Sequence, residues 1–507
     1  MYSTSQPVNT KAGQVARLVQ LNNVSATFNG LDFEGSNDFS FHLNNAGGTV
    51  VTNCSVLYSG SFAFYAANSN NLRVENCNIR YTNNVGFLLA GCRPAIIRNN
   101  QLFATGIEGG GRGLNVTNLE YSAMSISSGD GSIIQGNRIE QTGYNAIHFL
   151  FGSNYLIQNN YIDGFNLTKD DGAGIYTWNA PSNPSVFTGT RIDANIVLNG
   201  RAAPGGRPSS YYLPAYGIYM DDNAAFVDIT NNVVADCAGS GIFLHNAHDL
   251  SVRGNLVYNC GSASADPAGA GQFQVLGNSS YYVRNVRMYQ NQYVSRRSNQ
   301  LVVKWDTDYN DIQQFGQADS NYYCRPINDN QVFRLYSQPW SNALSQTLAD
   351  WRTFTGQDAN SRRSPKTVTS MDSLRFVYNE TSSPKLIPLS GTFLDIRGTE
   401  YAGSITLAPY SGAVLIYKSG TINQSPTANA GPNRTITLPT NSTTLTGSGT
   451  DPDGTISSYA WTRLSGPVNF TIGSPTAAAT TVANLVQGTY QFVLTVTDNL
   501  GATGRDT

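Results

Sequence analysis

The feature that most narrows the folds open to this chain is a phrase that returns at a base interval of 23 residues. It consists of an alternating apolar segment, then Asn or a small polar residue, then a second alternating segment. It reads TVVTNCSVLY, NLRVENCNIR, AIIRNNQLF, SIIQGNRIE, YLIQNNYID, TRIDANIVLN, VDITNNVVAD, LSVRGNLVYN and VRMYQNQYV. The second residue of each central pair sets a register: Cys54, Cys77, Asn100, Asn137, Asn160, Asn195, Asn232, Asn255 and Asn291. Steps of 23 recur between these positions, and the longer steps, of 35 to 37, carry insertions of 12 to 14 residues. Self-similarity at such a period is the signature of a solenoid.

A second phrase follows each register residue: AFYAAN, GFLLAG, AIHFLF, GIYTWN, GIYMDD and GIFLHN. Each repeat therefore carries alternating strands joined by one tight turn and one loop of variable length. At about 3.3 Å per strand residue, one repeat makes one circuit of a triangular prism, and successive circuits stack about 4.8 Å apart as parallel strands. Leucine-rich repeats would need regular LxxLxL spacing, which is absent, and a propeller blade would need about 40 residues. The fold class expected is all-β: a parallel β-helix, or solenoid. Stacked Asn side chains satisfy each other and the turn backbone, so the Asn column is structural rather than catalytic. Cys54 and Cys77 share that column, and Cys237 and Cys260 stack in another; buried thiol pairs or an inter-coil disulfide both fit this spacing.

Composition agrees and excludes some partners. Of 507 residues only 13% are charged, with a net charge of −2, so there is no basic stripe for a nucleic acid. The 49 Gly and 28 Tyr against 5 Met suit a turn-rich β protein. The length allows roughly two to four domains. No apolar run long enough for a membrane-spanning helix occurs. The opening MYSTSQPVNT lacks a signal-peptide core, so a leader or upstream segment is expected outside this sequence. Six cysteines are too few for a disulfide framework.

These repeats resemble those of the pectin-lyase-like superfamily of right-handed parallel β-helices, over roughly residues 20–330. The resemblance implies a secreted or cell-surface bacterial protein, monomeric, acting on a polysaccharide or oligosaccharide. Pectate lyases, polygalacturonases, xylosidases, fucosidases and phage tailspikes share that fold, so the fold does not choose the reaction.

The β-helix is expected over 1–334. Residues 335–420 lose the repeat and read as short strands (SLRFVYNET, GTFLDIRG, GSITLAPYSG, AVLIYKSG); they resemble the small β module that closes many secreted carbohydrate-active enzymes. A cap is needed because the last coil would otherwise expose an open edge. After the linker NQSPTANAGPN, residues 424–507 read as an Ig-like β-sandwich. Its DPDG turn, YAWT strand with Trp461, and LTVTDNLG resemble a PKD-type module. The ending at GRDT suggests continuation of the natural chain.

Alternation within GIYMDD turns Ile218 and Met220 inward and Tyr219 and Asp221 outward. Counting 13 residues past the register, or aligning the phrase, gives an outer column of Ala67, Ala90, Leu150, Trp178, Asp221, His245 and Lys304. Counting 11 gives Tyr65, Leu88, His148, Tyr176, Tyr219, Phe243 and Val302. The middle coils thus present Tyr176, Trp178, Tyr219, Phe243, His148, His245 and Asp221 on one wall. Long loops beside them carry Glu120, Asp170, Asp171, Arg201, Arg207, Tyr211 and Tyr212. Loops flanking such a stripe make the walls of a groove.

The pairs Asp170–Asp171 and Asp221–Asp222 fall on neighbouring coils and are expected within about 5–10 Å of each other. Glycosidic cleavage needs one protonated and one ionised carboxyl, and crowding separates pKa values in that way. Asp221, Asp222, Asp170, Asp171 and His245 are therefore the candidate catalytic residues. Trp178, Tyr176, Tyr219, His148, Phe243, Lys304 and Glu120 are the candidate sugar-binding residues. The Asp pair followed one coil later by a His is similar to polygalacturonases. By that resemblance Asp221 and Asp222 match the family's Asp pair, His245 its His, and Lys304 loosely its basic position. The family's Asn-Thr-Asp motif is absent where Trp178–Asn179 stand, and no Arg-x-Lys motif occurs. The bland reading is that paired Asp in Gly-rich turns cap those turns or hold a structural Ca²⁺; His248 and Asp249 are read as structural. Ca²⁺ is the one cofactor the residues suggest. The function expected is glycoside hydrolysis; the alternatives are β-elimination on a uronate polymer, with Lys304, His245 or Tyr as base, and a non-catalytic glycan-binding β-helix.

Overall fold

The computed structural model describes residues 15–107, 120–179, 187–204, 214–261, 270–278, 282–330, 332–337, 342–420, 423–467 and 469–507. Arg207, Tyr211 and Tyr212 lie outside them. Three long sheets organise the first two thirds of the chain. Sheet A holds the longer strands, from Arg17–Asn22 through Phe62–Ala67 and Tyr216–Met220 to Phe333–Ser337; B and C hold shorter ones, such as Leu72–Glu75 and Asn78–Thr82. The chain visits A, B and C in turn, and each strand pairs in parallel with its equivalent one coil later. This is the parallel β-helix that the repeats predict.

Period-two alternation sends one side chain in two to the interior, and like residues stack there. Phe41, Phe64 and Phe87 lie with ring centroids 4.6 and 4.8 Å apart, close to the spacing of the strands that carry them. The tight turn between sheets B and C places residues such as Asn99, Asn159 and Asn231 in the left-handed region. The next residue of each turn points inward. Asn232 is fully buried; its Nδ2 donates to Asn255 Oδ1 (3.0 Å) and Ile192 O (2.8 Å), while its Oδ1 accepts from Asn195 Nδ2 (2.9 Å). The ladder continues down to Asn321. Cys77 joins it through its backbone N–H, which donates to Asn100 Oδ1 (2.9 Å). All six cysteines are buried free thiols.

The C-terminal end of the helix is closed by a short segment. Strand Leu344–Gln346 pairs antiparallel with Phe333–Ser337 and occupies the last edge. Helix Leu348–Thr355 follows, started by a Thr347/Asp350 capping box and ended by Gly356 at φ 72°. It lays Trp351 over Phe333 (centroids 4.8 Å apart), and the indole Nε1 donates to Asp358 Oδ2 (2.8 Å). The four-stranded antiparallel sheet made by Leu374–Asn379, Lys385–Asp395, Glu400–Leu407 and Ser411–Ser419 does not sit on that end. It covers the outer face of sheet C, where Ile196, Leu198, Val233 and Leu256 form one apolar layer with Leu374, Val414 and Ile416. Those outward positions of sheet C are apolar and need cover more than the already paired end does. Residues 423–507 form a small antiparallel module around Trp461, Leu494 and Val496. No helix among the described residues is long and apolar enough to cross a membrane.

Candidate active site

Strand Tyr216–Met220 ends in Asp221 and Asp222, and strand Ile242–His245 lies one coil beyond it. The register Met220↔Leu244 sets Asp221 beside His245, and Thr177↔Met220 sets Trp178 beside Asp221 on the other side. His245 Nδ1 is 2.6 Å from Asp221 Oδ1 and 3.6 Å from Asp222 Oδ1. The Tyr176 hydroxyl donates to Asp221 Oδ2 (2.8 Å), and the Asp222 amide donates to Asp221 Oδ1 (2.9 Å). Asn246 Nδ2 donates to Asp222 Oδ1 (2.8 Å) and to Asn278 Oδ1 (2.9 Å).

Burial pushes the Asp221 carboxyl up, but the hydrogen bond and charge of His245, with the Asp222 amide and the Tyr176 hydroxyl, outweigh it and hold Asp221 below its ordinary 3.8. Burial likewise pulls His245 down, and Asp221, Asp222 and Asn278 overcome it, so the imidazole is held above 6.5. Tyr176 is raised well above 10 by burial and by the charge of Asp221, and remains a donor.

Asp171 behaves oppositely. Burial first, then the charges of Asp221 and Asp170, push it up to about 6 against the pull of His245 and Lys169. Its φ of 53° puts it in the left-handed region, and its carbonyl accepts the Tyr144 hydroxyl (2.8 Å). Asp170 is buried beside it. The ammonium of Lys169 sits over the Tyr144 ring at 4.3 Å; burial lowers its pKa, while half-buried Glu120, Asp171 and Asp170 raise it. The structure thus brings Asp221, Asp222, His245 and Tyr176 into contact, with Asp171 near enough for its charge and that of Asp221 to act on each other and Trp178 half-buried at the edge.

Other expectations need correction. Tyr219 and Phe243 point out of the coil but are only 5% and 3% exposed, because their rings stack on each other at 4.7 Å and pack at a tilt against Tyr216. They form an apolar wall and offer no open face. His148 is buried: its Nδ1 meets Ser125 Oγ at 3.3 Å and burial lowers its pKa to about 3, so it stays neutral. Lys304 is 5% exposed and pairs with Gln274, which pairs with Phe243. It therefore belongs to the Tyr219 column, and Asp306 takes the row of His245. Relative to Phe243, which follows Asn232 by 11 residues, Lys304 follows Asn291 by 13; two extra residues in the intervening turn shift the count.

Sequence reasoning missed Asn246, Asn278 and Lys169. Asn246 and Lys169 directly adjoin residues that were singled out, in FLHN and TKDDG. Asn278 is placed only by folding. Ligand atoms of Asp221, Asp222 and His245 lie within 4.8 Å of one another, a set that suits a divalent cation.

A family model described as the right handed beta helix region matches residues 106–292, one described as periplasmic copper-binding protein (NosD) matches 5–195, and a PKD domain model matches 430–507. The β-helix model thus falls on coils of the parallel β-helix described above, and the PKD model on the C-terminal module around Trp461. The mouse (Mus musculus) dyslexia-associated protein KIAA0319-like protein is 42% identical over 76 residues, which are 15% of this chain and 7% of that protein. The chain thus spans under a tenth of that relative. Among solved structures, the A-module of mannuronan C-5 epimerase AlgE4 from Azotobacter vinelandii aligns over 69% of this chain and 78% of its own, at 11% identity and a TM-score of 0.36. The catalytic domain of a GH87 alpha-1,3-glucanase aligns over 72% and 65%, at 9% identity and a TM-score of 0.25.

Proposed function

We propose that this protein is an extracytoplasmic carbohydrate-active enzyme that hydrolyses a glycosidic bond at the ends of the central sheet A strands. The observation that carries this reading is the opposite displacement of two carboxyls on neighbouring coils: burial and neighbouring charge push Asp171 up to about 6, while His245 at 2.6 Å and the Tyr176 hydroxyl at 2.8 Å hold Asp221 below 3.8. A glycosidase needs this pairing, one carboxylic acid to protonate the leaving oxygen and one carboxylate to act as base or nucleophile. Asp171 serves as the acid. Asp221 serves as the carboxylate, oriented by His245 and Tyr176, and Asp222 lines the open side. Trp178 supplies an apolar edge for a sugar ring.

A second reading is β-elimination on a uronate polymer. The Asp221, Asp222 and His245 ligand set favours it, since a divalent cation there would neutralise a uronate carboxylate. The test is to incubate the protein with plant and algal polysaccharides and analyse the products. Saturated reducing ends with loss of activity in Asp221→Asn support hydrolysis. Unsaturated, ultraviolet-absorbing ends abolished by chelator support elimination. Unchanged cleavage by Asp221→Asn removes both.

A further inference from the structure

We propose a second saccharide-binding site, around the corner from Asp221, with Phe226 as its stacking face. Phe226 is the last residue of the turn from sheet A to sheet B. On the coils that share its positive φ, the strand registers align it with Gly48, Asn71, Gly131, Asn154, Gly189, Asp249 and Asn285, whereas Pro94 and Phe315 hold the position on two others without it. Each of the seven at positive φ is Gly, Asn or Asp, the residues that tolerate this conformation. Phe226 adopts φ 60° and is 42% exposed. A bulky aromatic in the left-handed region costs conformational energy, and exposure returns none of it through the core.

Beside the ring runs an open groove of about 600 Å³, lined by Phe226, Asp249, Asn285, Arg287, Gly316 and Gln317. Its polar groups are held ready. Asp249 Oδ2 meets His248 Nδ1 at 2.6 Å, and Asp249 Oδ1 accepts from Asn285 Nδ2 at 2.8 Å. His248 Nε2 meets Asn223 Oδ1 at 3.1 Å, and the His248 ring stands T-shaped to Phe226 at 6.3 Å. Arg287 and Gln317 are adjacent in one outward column of sheet B, and Arg287 is exposed.

A pyranose presents an apolar C–H face and a rim of hydroxyls that both donate and accept. One aromatic face among a carboxylate, two amides and a guanidinium matches that chemistry. A protein partner would require a broader apolar centre than a single Phe. A bare anion would be opposed by Asp249. Asn223, which His248 meets, follows Asp222 directly, so the groove and the candidate active site flank one turn of the chain.

The test is native electrophoresis in gels containing polygalacturonate, alginate, xylan or a mixed-linkage glucan, with wild type, Phe226→Asn, Arg287→Gln and Asp221→Asn. Asn occupies the equivalent position on three other coils, so Phe226→Asn retains the fold, which its melting temperature verifies. Retardation of wild type by at least one polymer, weakened roughly ten-fold in apparent affinity by Phe226→Asn and by Arg287→Gln but kept by Asp221→Asn, is the expected result. Retardation of Phe226→Asn equal to wild type overturns the proposal, as does retardation of wild type by none of these polymers or its loss in Asp221→Asn alone. The site does not rest on the hydrolase reading: a wild type that is retarded but cleaves nothing defeats that reading and leaves this one standing.

Discussion

Asp221 and His245, 24 residues apart in the chain, meet across two stacked strands at 2.6 Å, and each moves the other's protonation in the direction that strengthens the pair. Replacing Asp221 with Asn removes both the charge and the principal cause of the raised His245 pKa. We expect activity to fall by about 10²–10⁴-fold and the His245 titration, followed by NMR, to move to lower pH. An imidazole that titrates as in wild type would show that the contact does not exist in solution.

The same pair stabilises the fold within a defined pH window. A raised His pKa contributes stability below 6.5 that is lost as pH rises through the folded value, and a depressed Asp pKa contributes stability above 3.8 that is lost as pH falls through its folded value. Thermal unfolding of wild type and His245→Ala should therefore differ most between those limits, by about 1.5–3 kcal/mol, and the difference should narrow at alkaline pH, where the neutral imidazole keeps only an uncharged N–H donor to Asp221 and its stacking on Phe243. A difference that grows above neutrality contradicts the assignment.

The pH–rate profile should descend where Asp171 loses its proton, near pH 6. Its neighbours move that limb in opposite directions. Asp170→Asn removes a charge that raises Asp171 and shifts the limb down, whereas Lys169→Met removes one that lowers it and shifts the limb up. Equal shifts of one sign in both variants would rule out Asp171 as the acid.

Asn232→Ala deletes a fully buried amide and strands its partners on both adjacent coils. A loss of about 2–4 kcal/mol is expected, read as a lower melting temperature with no change in the pH profile of activity. A neutral substitution would refute the ladder as a structural element.

Trp351→Ala uncovers the final coil. The cost expected is about 3–5 kcal/mol, and hydrogen exchange should accelerate first at Phe333–Ser337, the strand that Trp351 and Leu344–Gln346 shield. Uniform acceleration along the whole helix would mean that the end is not a separate unit.

The coil period, the inward and outward alternation, the Asn column and the pairing of Asp221 with His245 could all be read from residue order. Each coil contacts only its neighbours, so a spacing of 23 in sequence becomes a vertical row in space wherever no residues intervene. Where they do intervene, the count drifts, and Lys304 moved by two positions from the row of His245 to that of Phe243. Outward direction was legible, but exposure was not: whether Tyr219 or Phe243 shows a face depends on how rings from adjacent coils pack, and whether sheet C meets water depends on a module more than 100 residues further along the chain. The protonation of Asp171 belongs to this second class, because burial and the charges of other coils set it. Local periodicity is encoded residue by residue, while solvation is a property of the assembled surface, and so the coils of the helix were determined by sequence alone, and the seat of the four-stranded module and the chemistry of the wall only by tertiary structure.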